Sequence, residues 1–452
     1  MTSINDLHRQ FPPDFVWAVA TSSFQIEGAA HEQGKGESIW DRFCRVPLAI
    51  ADGSNGDVAC DHFHRLDSDL DMIASLGVNA YRFSVSWPRV QPLGSGAWNE
   101  QGMAFYDRLV DGLLARGVQP YLTLNHWDLP QALQDKGGWP ERDTVHRFVD
   151  YARGVQRRLG DRLAAIITHN EPWVIAVLGH EKGEFAPGLK SRKTSNQVAH
   201  HLLLSHGLAV QALRADGAHA KLGIVLNLGA AAAATDSPAD LECMRMDDAR
   251  GRRWYSDPLF KGAYPQEILD ELGSDAPAVE AGDMTHIATP TDFLGVNYYT
   301  RVVSSAGKPF DVTTSGLPLT DMGWEIYPRG LTELLLTLHR DYPNLPPIHV
   351  TENGGAFKDP MTDGLVHDAD RTDYLQTHIA AVAEAMRAGV SVAGYMVWSL
   401  MDNFEWSSGY SKRFGIVHVD YATQQRTLKD SALWYRSFLA ECRAARSAAE
   451  GA

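Results

Sequence analysis

Pro347-Ile348-His349-Val350-Thr351-Glu352-Asn353-Gly354-Gly355 is a short apolar run that stops at a carboxylate and then at Asn-Gly-Gly, a turn signal. It reads as a buried strand with Glu352 at its end. A lone glutamate at such a junction is usually no more than a solvated loop residue. A second stretch of the same build changes the weight of the first. Ala165-Ile166-Ile167-Thr168-His169-Asn170-Glu171-Pro172 is also an apolar run ending in a carboxylate, stopped here by proline. Two glutamates at the ends of buried strands suit acid/base and nucleophilic chemistry at a glycosidic carbon.

Outward from these two stretches, the same rhythm fills the chain. Strand-like apolar runs fall at Phe15–Ser23, Ala80–Trp87, Gln119–Trp127, Ala164–Glu171, Lys221–Gly229, Phe293–Thr300, Pro347–Gly354 and Val392–Asn403. Between them lie segments of helical period; Phe105–Ala115 and Leu331–Arg340 place apolar residues three and four apart. Eight strands alternating with helices predict a parallel (β/α)8 TIM barrel, with function on the loops at the C-terminal strand ends. An open doubly wound sheet is the rival, but the chain has no G-x-G-x-x-G or P-loop. The length of 452 residues exceeds a minimal barrel, so several strand-to-helix loops must be long. Glu27–Leu70, Asn170–Asn196, Ala230–Ala263 and Val302–Trp324 are the candidates.

Composition narrows the partner. Lys plus Arg number 41 against 56 Asp plus Glu, a formal charge of −15 that offers no attraction to nucleic acid or an anionic membrane. The balance suits a neutral ligand. Several of the 12 tryptophans stand beside amides and carboxylates, as in Asn125-His126-Trp127-Asp128 and Glu405-Trp406; such loops can stack sugar faces while binding hydroxyls. Four cysteines without metal-type spacing, and an N-terminus without a secretory apolar region, predict a cytoplasmic protein with reduced thiols. No apolar run reaches membrane-spanning length. Periodicity does not report oligomeric state.

Seven of the eight runs end in amide, imidazole, indole or carboxylate groups. Besides the two glutamates, these are Ser23-Phe24-Gln25-Ile26-Glu27-Gly28, Tyr81-Arg82-Phe83-Ser84-Val85-Ser86-Trp87, His126-Trp127-Asp128-Leu129-Pro130, Asn297-Tyr298-Tyr299 and Trp398-Ser399-Leu400-Met401-Asp402-Asn403-Phe404-Glu405-Trp406. A barrel would gather them at one rim. The ordered set S-x-Q-I-E-G, H-W-D-L-P, T-x-N-E-P, V-T-E-N-G and F-E-W resembles glycoside hydrolase family 1, the retaining β-glucosidases, from about Phe11 to Phe438. The resemblance implies one catalytic barrel domain over residues 1–452.

It also implies roles. Glu352 would be the nucleophile, forming a β-face glycosyl-enzyme ester, and Glu171 the acid and then the base, with carboxyl groups about 5–5.5 Å apart. Ionised Glu352 nearby would raise the pKa of Glu171. Arg82 and Tyr299 resemble the residues that keep the nucleophile ionised; the bland alternatives are an ion pair and simple packing. Asn170 resembles the 2-hydroxyl ligand. Gln25, His126, Glu405 and Trp406 resemble the non-reducing sugar site, with Gln25 and Glu405 as a fork for adjacent hydroxyls and Trp398 as a stacking floor. Asn297 and Phe414 complete the expected substrate site, and Trp324 resembles a platform for the leaving group.

Two positions depart from the family pattern. His169 stands where an aromatic or aliphatic residue is usual. Strand alternation puts it on the same side as Glu171, one layer deeper; it reads first as a hydrogen-bonded core residue and second as a tuner of the acid/base pKa. Phe24 replaces a common tyrosine. A family branch that cleaves 6-phosphoglycosides carries a small hydroxyl residue at position 405. This chain has Lys412 but keeps Glu405 and has Phe414, which favours neutral sugars because a carboxylate repels phosphate. Cello-oligosaccharides and aryl or alkyl β-glucosides are the expected substrates, with β-galactosides and β-fucosides beside them. A non-catalytic sugar-binding barrel is disfavoured by the presence of both glutamates. Asp61-His62-Phe63-His64 and His31-Glu32 are incomplete as metal ligands, so no metal and no cofactor is expected. The former segment reads as a helix-start cap with packed histidines.

Overall fold

A computed structural model describes residues 4–450. Among them, eight parallel strands close a barrel: β1 (Val16–Ala20), β2 (Ala80–Ser84), β3 (Gln119–Asn125), β4 (Ala165–Asn170), β5 (Lys221–Asn227), β6 (Phe293–Asn297), β7 (Ile348–Asn353) and β8 (Val392–Trp398). Each lies inside one of the eight runs read from the sequence. Closure joins the ends of the series: Ala18 stands opposite Ala80 of β2, and Ala20 opposite Trp398 of β8.

The barrel centre explains why strands so apolar still alternate in size. Ala18, Ala20, Ala80 and Ala165 leave room that Tyr121, Ile167, Phe293 and Met396 fill. Above this layer, toward the C-terminal ends, the inward positions turn polar: Arg82, Asn170, Asn297 and Glu352 are all buried. The outer faces pack on the helices α1 (Leu66–Ser75), α2 (Glu100–Ala115), α3 (Arg142–Leu159), α4 (Arg192–Ala215), α5 (Trp254–Lys261), α6 (Pro328–Asp341), α7 (Ala369–Arg387) and α8 (Asp430–Glu450). In α3 the buried Val145, Phe148, Tyr151, Ala152, Val155 and Leu159 recur at three- and four-residue spacing, one stripe against the barrel. At the start of α4 the Ser191 hydroxyl accepts from the Thr194 N–H, a cap that contributes about 1 kcal/mol.

The long connections are structured. The loop after β4 winds into a π-helix, Val174–Lys182, and the one after β5 carries helix Pro238–Asp248 and a second π-helix, Ala249–Arg253. Ala230–Ala233 and Arg301–Ser304 pair in parallel as a small accessory sheet. A further long connection, after β8, escaped the sequence reading: it holds the hairpin Val417–Val419 and Arg426–Leu428. Buried charges pin it. Lys429 Nζ donates to Asp402 Oδ1 (2.7 Å) and Asp359 Oδ2 (2.5 Å), Arg413 reaches Asp402 Oδ2 at 2.6 Å, and Arg371 pairs with Asp359 and Asp368. Burial alone would push Asp402 up, but Lys429, Arg413 and Arg371 hold its pKa below the ordinary value.

The four cysteines are free, and no helix among the described residues is long and apolar enough to cross a membrane. The histidine-rich segment differs from its expected form. His62 is buried on Asp69 (2.8 Å), but His64 lies at the surface between Asp61 and Glu32, and no side chain caps α1.

Candidate active site

The polar groups that the strand ends bring together form one connected network. Glu352, on β7, receives two hydrogen bonds: Arg82 Nη1 donates to Oε1 at 2.7 Å and the Tyr299 hydroxyl to Oε2 at 2.5 Å. Arg82 Nη2 donates to Asn170 Oδ1 (2.7 Å), and Asn297 Nδ2 donates both to Asn170 Oδ1 (3.0 Å) and to Glu171 Oε1 (2.5 Å). A guanidinium can only donate, so Asn170 must turn its oxygen to Arg82 and its amide N–H groups the other way. Those point to His126 Nε2 at 3.1 Å, which must therefore accept. His126 is neutral, its pKa driven well down by burial and then by the Arg82 charge. Its remaining nitrogen, Nδ1, carries the proton and has no partner among the described residues.

The two carboxylates differ electrostatically. Burial pushes Glu171 well above the ordinary carboxylate value, and the charge of Glu352 pushes it further. The order of causes differs from the sequence expectation, which credited Glu352 alone. Burial also raises Glu352, but Arg82, Tyr299 and Asn297 pull against it. One group is thus set to hold a proton and the other is supported as an anion.

Backbone geometry at the β4 end is what aims Glu171. Pairing with β5 runs in step at Ile167–Gly223 and slips before Asn170–Val225. The slip turns two successive residues outward: Thr168 bonds His206 of α4 at 2.8 Å, and His169 bonds Ser205 of α4 at 2.8 Å. His169 stacks on Phe148 of α3, with ring centroids 4.3 Å apart, and meets Asn125 at 3.0 Å. The expectation that it shares a side with Glu171 is therefore overturned. Strand alternation fails at a bulge, and His169 is a satisfied packing residue between barrel and helices. Glu171 itself adopts φ +50°. Trp127 and Trp406, also in the pocket, take φ +78° and +48°, so three left-handed non-glycine residues, each worth about 1–3 kcal/mol of strain, share this rim.

The remaining expected residues converge on the same rim. Gln25, on a short helix Ser23–Ile26, donates to Asn403 Oδ1 (2.9 Å), to the Phe404 carbonyl (2.9 Å) and to Glu405 Oε2 (3.3 Å). The Glu405 carboxyl is pushed up to about 8, first by desolvation and then by the charge of Glu352. His126 stacks against Trp398 (5.8 Å, 19°) and Trp406 (6.0 Å, 17°). Trp324 and Phe414 stand beside Tyr299, with centroids 5.5 and 6.1 Å from it. Phe24, the tyrosine replacement, stacks on Trp406 at 6.0 Å.

Several members were not singled out from sequence. Trp127 donates from Nε1 to the Asn170 carbonyl (2.8 Å) and packs on Trp406; Thr351 bonds Asn297 (2.7 Å); Ser22 donates to Gln25 Oε1 (2.6 Å). Asn403 and Trp127 lay inside quoted motifs, which was the available signal. Gly354 was read as part of a turn. Its reason is closeness: a Cβ there would fall 1.7 Å from the Trp398 carbonyl oxygen.

This geometry has counterparts. The family model described as Glycosyl hydrolase family 1 matches residues 7–443. Beta-glucosidase A of Acetivibrio thermocellus is 45% identical over 440 residues, covering 95% of this chain and 98% of that protein. A bifunctional beta-D-glucosidase/beta-D-fucosidase of Bifidobacterium breve is 43% identical, covering 95% and 98%. The crystal structure of a psychrophilic β-glucosidase from Micrococcus antarcticus matches with a TM-score of 0.92 at 44% identity, covering 96% of this chain and 98% of that one. A polar rim on a closed barrel and a family match along nearly the whole chain agree: this protein belongs to glycosyl hydrolase family 1.

Proposed function

We propose that this chain is a retaining β-glucosidase, one catalytic unit, with Glu352 as nucleophile and Glu171 as acid/base. The observation that carries the assignment is the asymmetry of the pair. Glu352 is held by a cation and a phenol, whereas burial and a neighbouring negative charge favour the protonated form of Glu171.

In the first step a Glu352 oxygen attacks C1 while the bond to the leaving oxygen breaks; that oxygen takes the electron pair and the Glu171 proton. Attack opposite a β-linked leaving group gives an ester on the α face. This corrects the β-face ester of the sequence reading, because each displacement inverts C1. Esterification removes the Glu352 charge, the pKa of Glu171 falls, and Glu171 can take a proton from water. The water oxygen then displaces Glu352, restoring the β configuration.

The unspent N–H of Asn170 suits the 2-hydroxyl, where a hydrogen bond strengthens in an oxocarbenium-like transition state. His126 Nδ1–H and the Gln25–Glu405 fork suit the hydroxyls farther round the ring, over the Trp398 floor. Asn297 positions Glu171, and Trp324 with Phe414 suits the leaving group. Neutral sugars fit best. Glu405 would face a 6-phosphate, and Lys412, the cation that the sequence offered for one, is already bonded to Asp321. Cello-oligosaccharides and aryl or alkyl β-glucosides are the proposed substrates. β-Galactosides and β-fucosides are proposed as additional ones, the latter in line with the bifunctional relative's name. The protein is proposed to work in the cytoplasm, without nucleic acid or membrane.

The test pairs p-nitrophenyl β-D-glucoside with its 6-phosphate, using wild type and Glu352→Gln. Cleavage of the free glucoside alone, lost in the folded variant, is expected. Preference for the phosphate would reassign the branch.

A further inference from the structure

Gln25 follows β1 and His126 follows β3, so two separate strand ends must be kept in register for both side chains to serve one sugar ring. Gln25 Nε2 spends its hydrogen bonds on Asn403, the Phe404 carbonyl and Glu405, all of which follow β8. His126 is fixed from another side, by Asn170. Two indirect links join Gln25 to His126. One is stacking, Phe24 on Trp406 and Trp406 on His126. The other is a run of hydrogen bonds that ends on the buried carboxyl of Asp128.

The run has one direction. The Ser23 N–H donates to the Ser84 hydroxyl oxygen (2.7 Å), the Ser84 hydroxyl to the Ser23 hydroxyl oxygen (3.0 Å), and the Ser23 hydroxyl to Asp128 Oδ2 (3.1 Å). A backbone N–H can only donate, so each hydroxyl after it accepts and passes its own proton on, and the last one needs an acceptor. Asp128 supplies it. Ser23, Ser84 and Asp128 are 2%, 1% and 1% exposed, which leaves the Ser23 hydroxyl dependent on that partner. Three strand ends meet at this point. Ser23 opens the short helix that carries Gln25, Ser84 closes β2 two residues past Arg82, and Asp128 lies two residues past His126. Trp127, between His126 and Asp128, has φ +78°, a conformation that persists only where its surroundings over-determine it. Burial pushes the Asp128 carboxyl up to about 7; charged or neutral, it still offers an oxygen to Ser23.

We propose that Asp128 is a positioning residue for sugar recognition: through Ser23 it holds Gln25 at the spacing from His126 that the ring hydroxyls require. It acts on the sugar only through these neighbours. This role rests on the reading of Gln25 and His126 as hydroxyl ligands of a β-glucosidase.

The test measures kcat and KM on p-nitrophenyl β-D-glucoside and its 2-deoxy, 3-deoxy and 4-deoxy forms. Wild type, Gln25→Ala, Asp128→Ala, Asp128→Asn and Ser23→Ala are compared. A hydroxyl absent from the substrate cannot be lost a second time when its ligand shifts. Asp128→Ala is therefore expected to lower kcat/KM about tenfold or more on the glucoside and on its 2-deoxy form, whose missing hydroxyl falls to Asn170. On the 3-deoxy or 4-deoxy form, whichever Gln25→Ala marks as its own, the loss should shrink to about threefold or less, as coupled groups require. Ser23→Ala should repeat this pattern, and it carries the test if Asp128→Ala does not fold. Asp128→Asn keeps an oxygen for the Ser23 hydroxyl and should stay within about threefold of wild type on all four substrates. An equal loss on all four in Asp128→Ala or Ser23→Ala, no loss at all, or an Asn variant as poor as the Ala variant overturns the role. Wild type inactive on every substrate, or Gln25→Ala with one and the same loss on all, defeats instead the reading of the pocket, and the role falls with it.

Discussion

The ends of β4 and β7 each offer a buried glutamate to one pocket, and what surrounds them sets them apart. Around Glu352 the fold supplies a guanidinium and a phenol; around Glu171 it supplies one amide and exclusion of water. The lesson is that burial alone does not assign a role. It raises both carboxyls, and the local count of donors and charges decides which one stays protonated.

The comparison can be broken most directly at Glu352. Glu352→Gln is expected to lower kcat on the order of 10⁴-fold or more, the scale seen when a covalent nucleophile is removed. Steady-state rates of a folded variant check this, and a small loss would mean the two ends are not distinct. Glu171→Gln should cost about 10²–10⁴-fold on substrates with poor leaving groups. The cost should shrink with 2,4-dinitrophenyl β-glucoside, whose leaving group needs no proton. Its pH profile sharpens the contrast. Glu171 works protonated and its pKa is raised, so wild-type activity falls as pH rises through that value, and the variant should lose this alkaline limb.

Tyr299→Phe removes one donor to the Glu352 carboxylate, an interaction of about 1.5–3 kcal/mol, or roughly ten- to a hundredfold in rate. Without that donor the pKa of Glu352 rises, so the acid limb should move to higher pH while the alkaline limb stays. A movement of the alkaline limb instead would exchange the roles. The smallest effect belongs to His169→Phe. The ring faces the helices, so the alkaline limb should remain in place while stability drops by about 1–3 kcal/mol in a denaturant titration, as Asn125 and Ser205 lose a buried partner.

The sequence made the barrel legible because each strand is a short apolar run bounded by breakers, and because Asn170, Glu171, Asn297 and Glu352 sit at or near a run's end. The residues of the pocket were legible for the same reason. Where the reading failed, it applied a local period across a non-local event. The slip at Thr168–Asn170 follows from how β4 meets β5 and turns His169 outward. The parallel pair Ala230–Ala233 and Arg301–Ser304 joins segments about seventy residues apart, and neither has the length or alternation to announce a strand. Gly354 looked like punctuation because a clash with the Trp398 carbonyl across the sheet leaves no local mark.

The buried bond between Lys429 and Asp402 has a consequence for how the protein comes into being. A ribosome delivers Glu171 and Glu352 well before residue 429, yet Gln25, near the start of the chain, meets Glu405 and Asn403 through a loop whose root is held by that late lysine. Until it emerges, Asp402 and Asp359 lack a cation that the finished fold places between them. The nascent chain therefore has its two chemical groups early and its sugar-recognising end late. A fragment ending shortly before Lys429 would carry every proposed reacting atom and still lack a firm seat for the sugar.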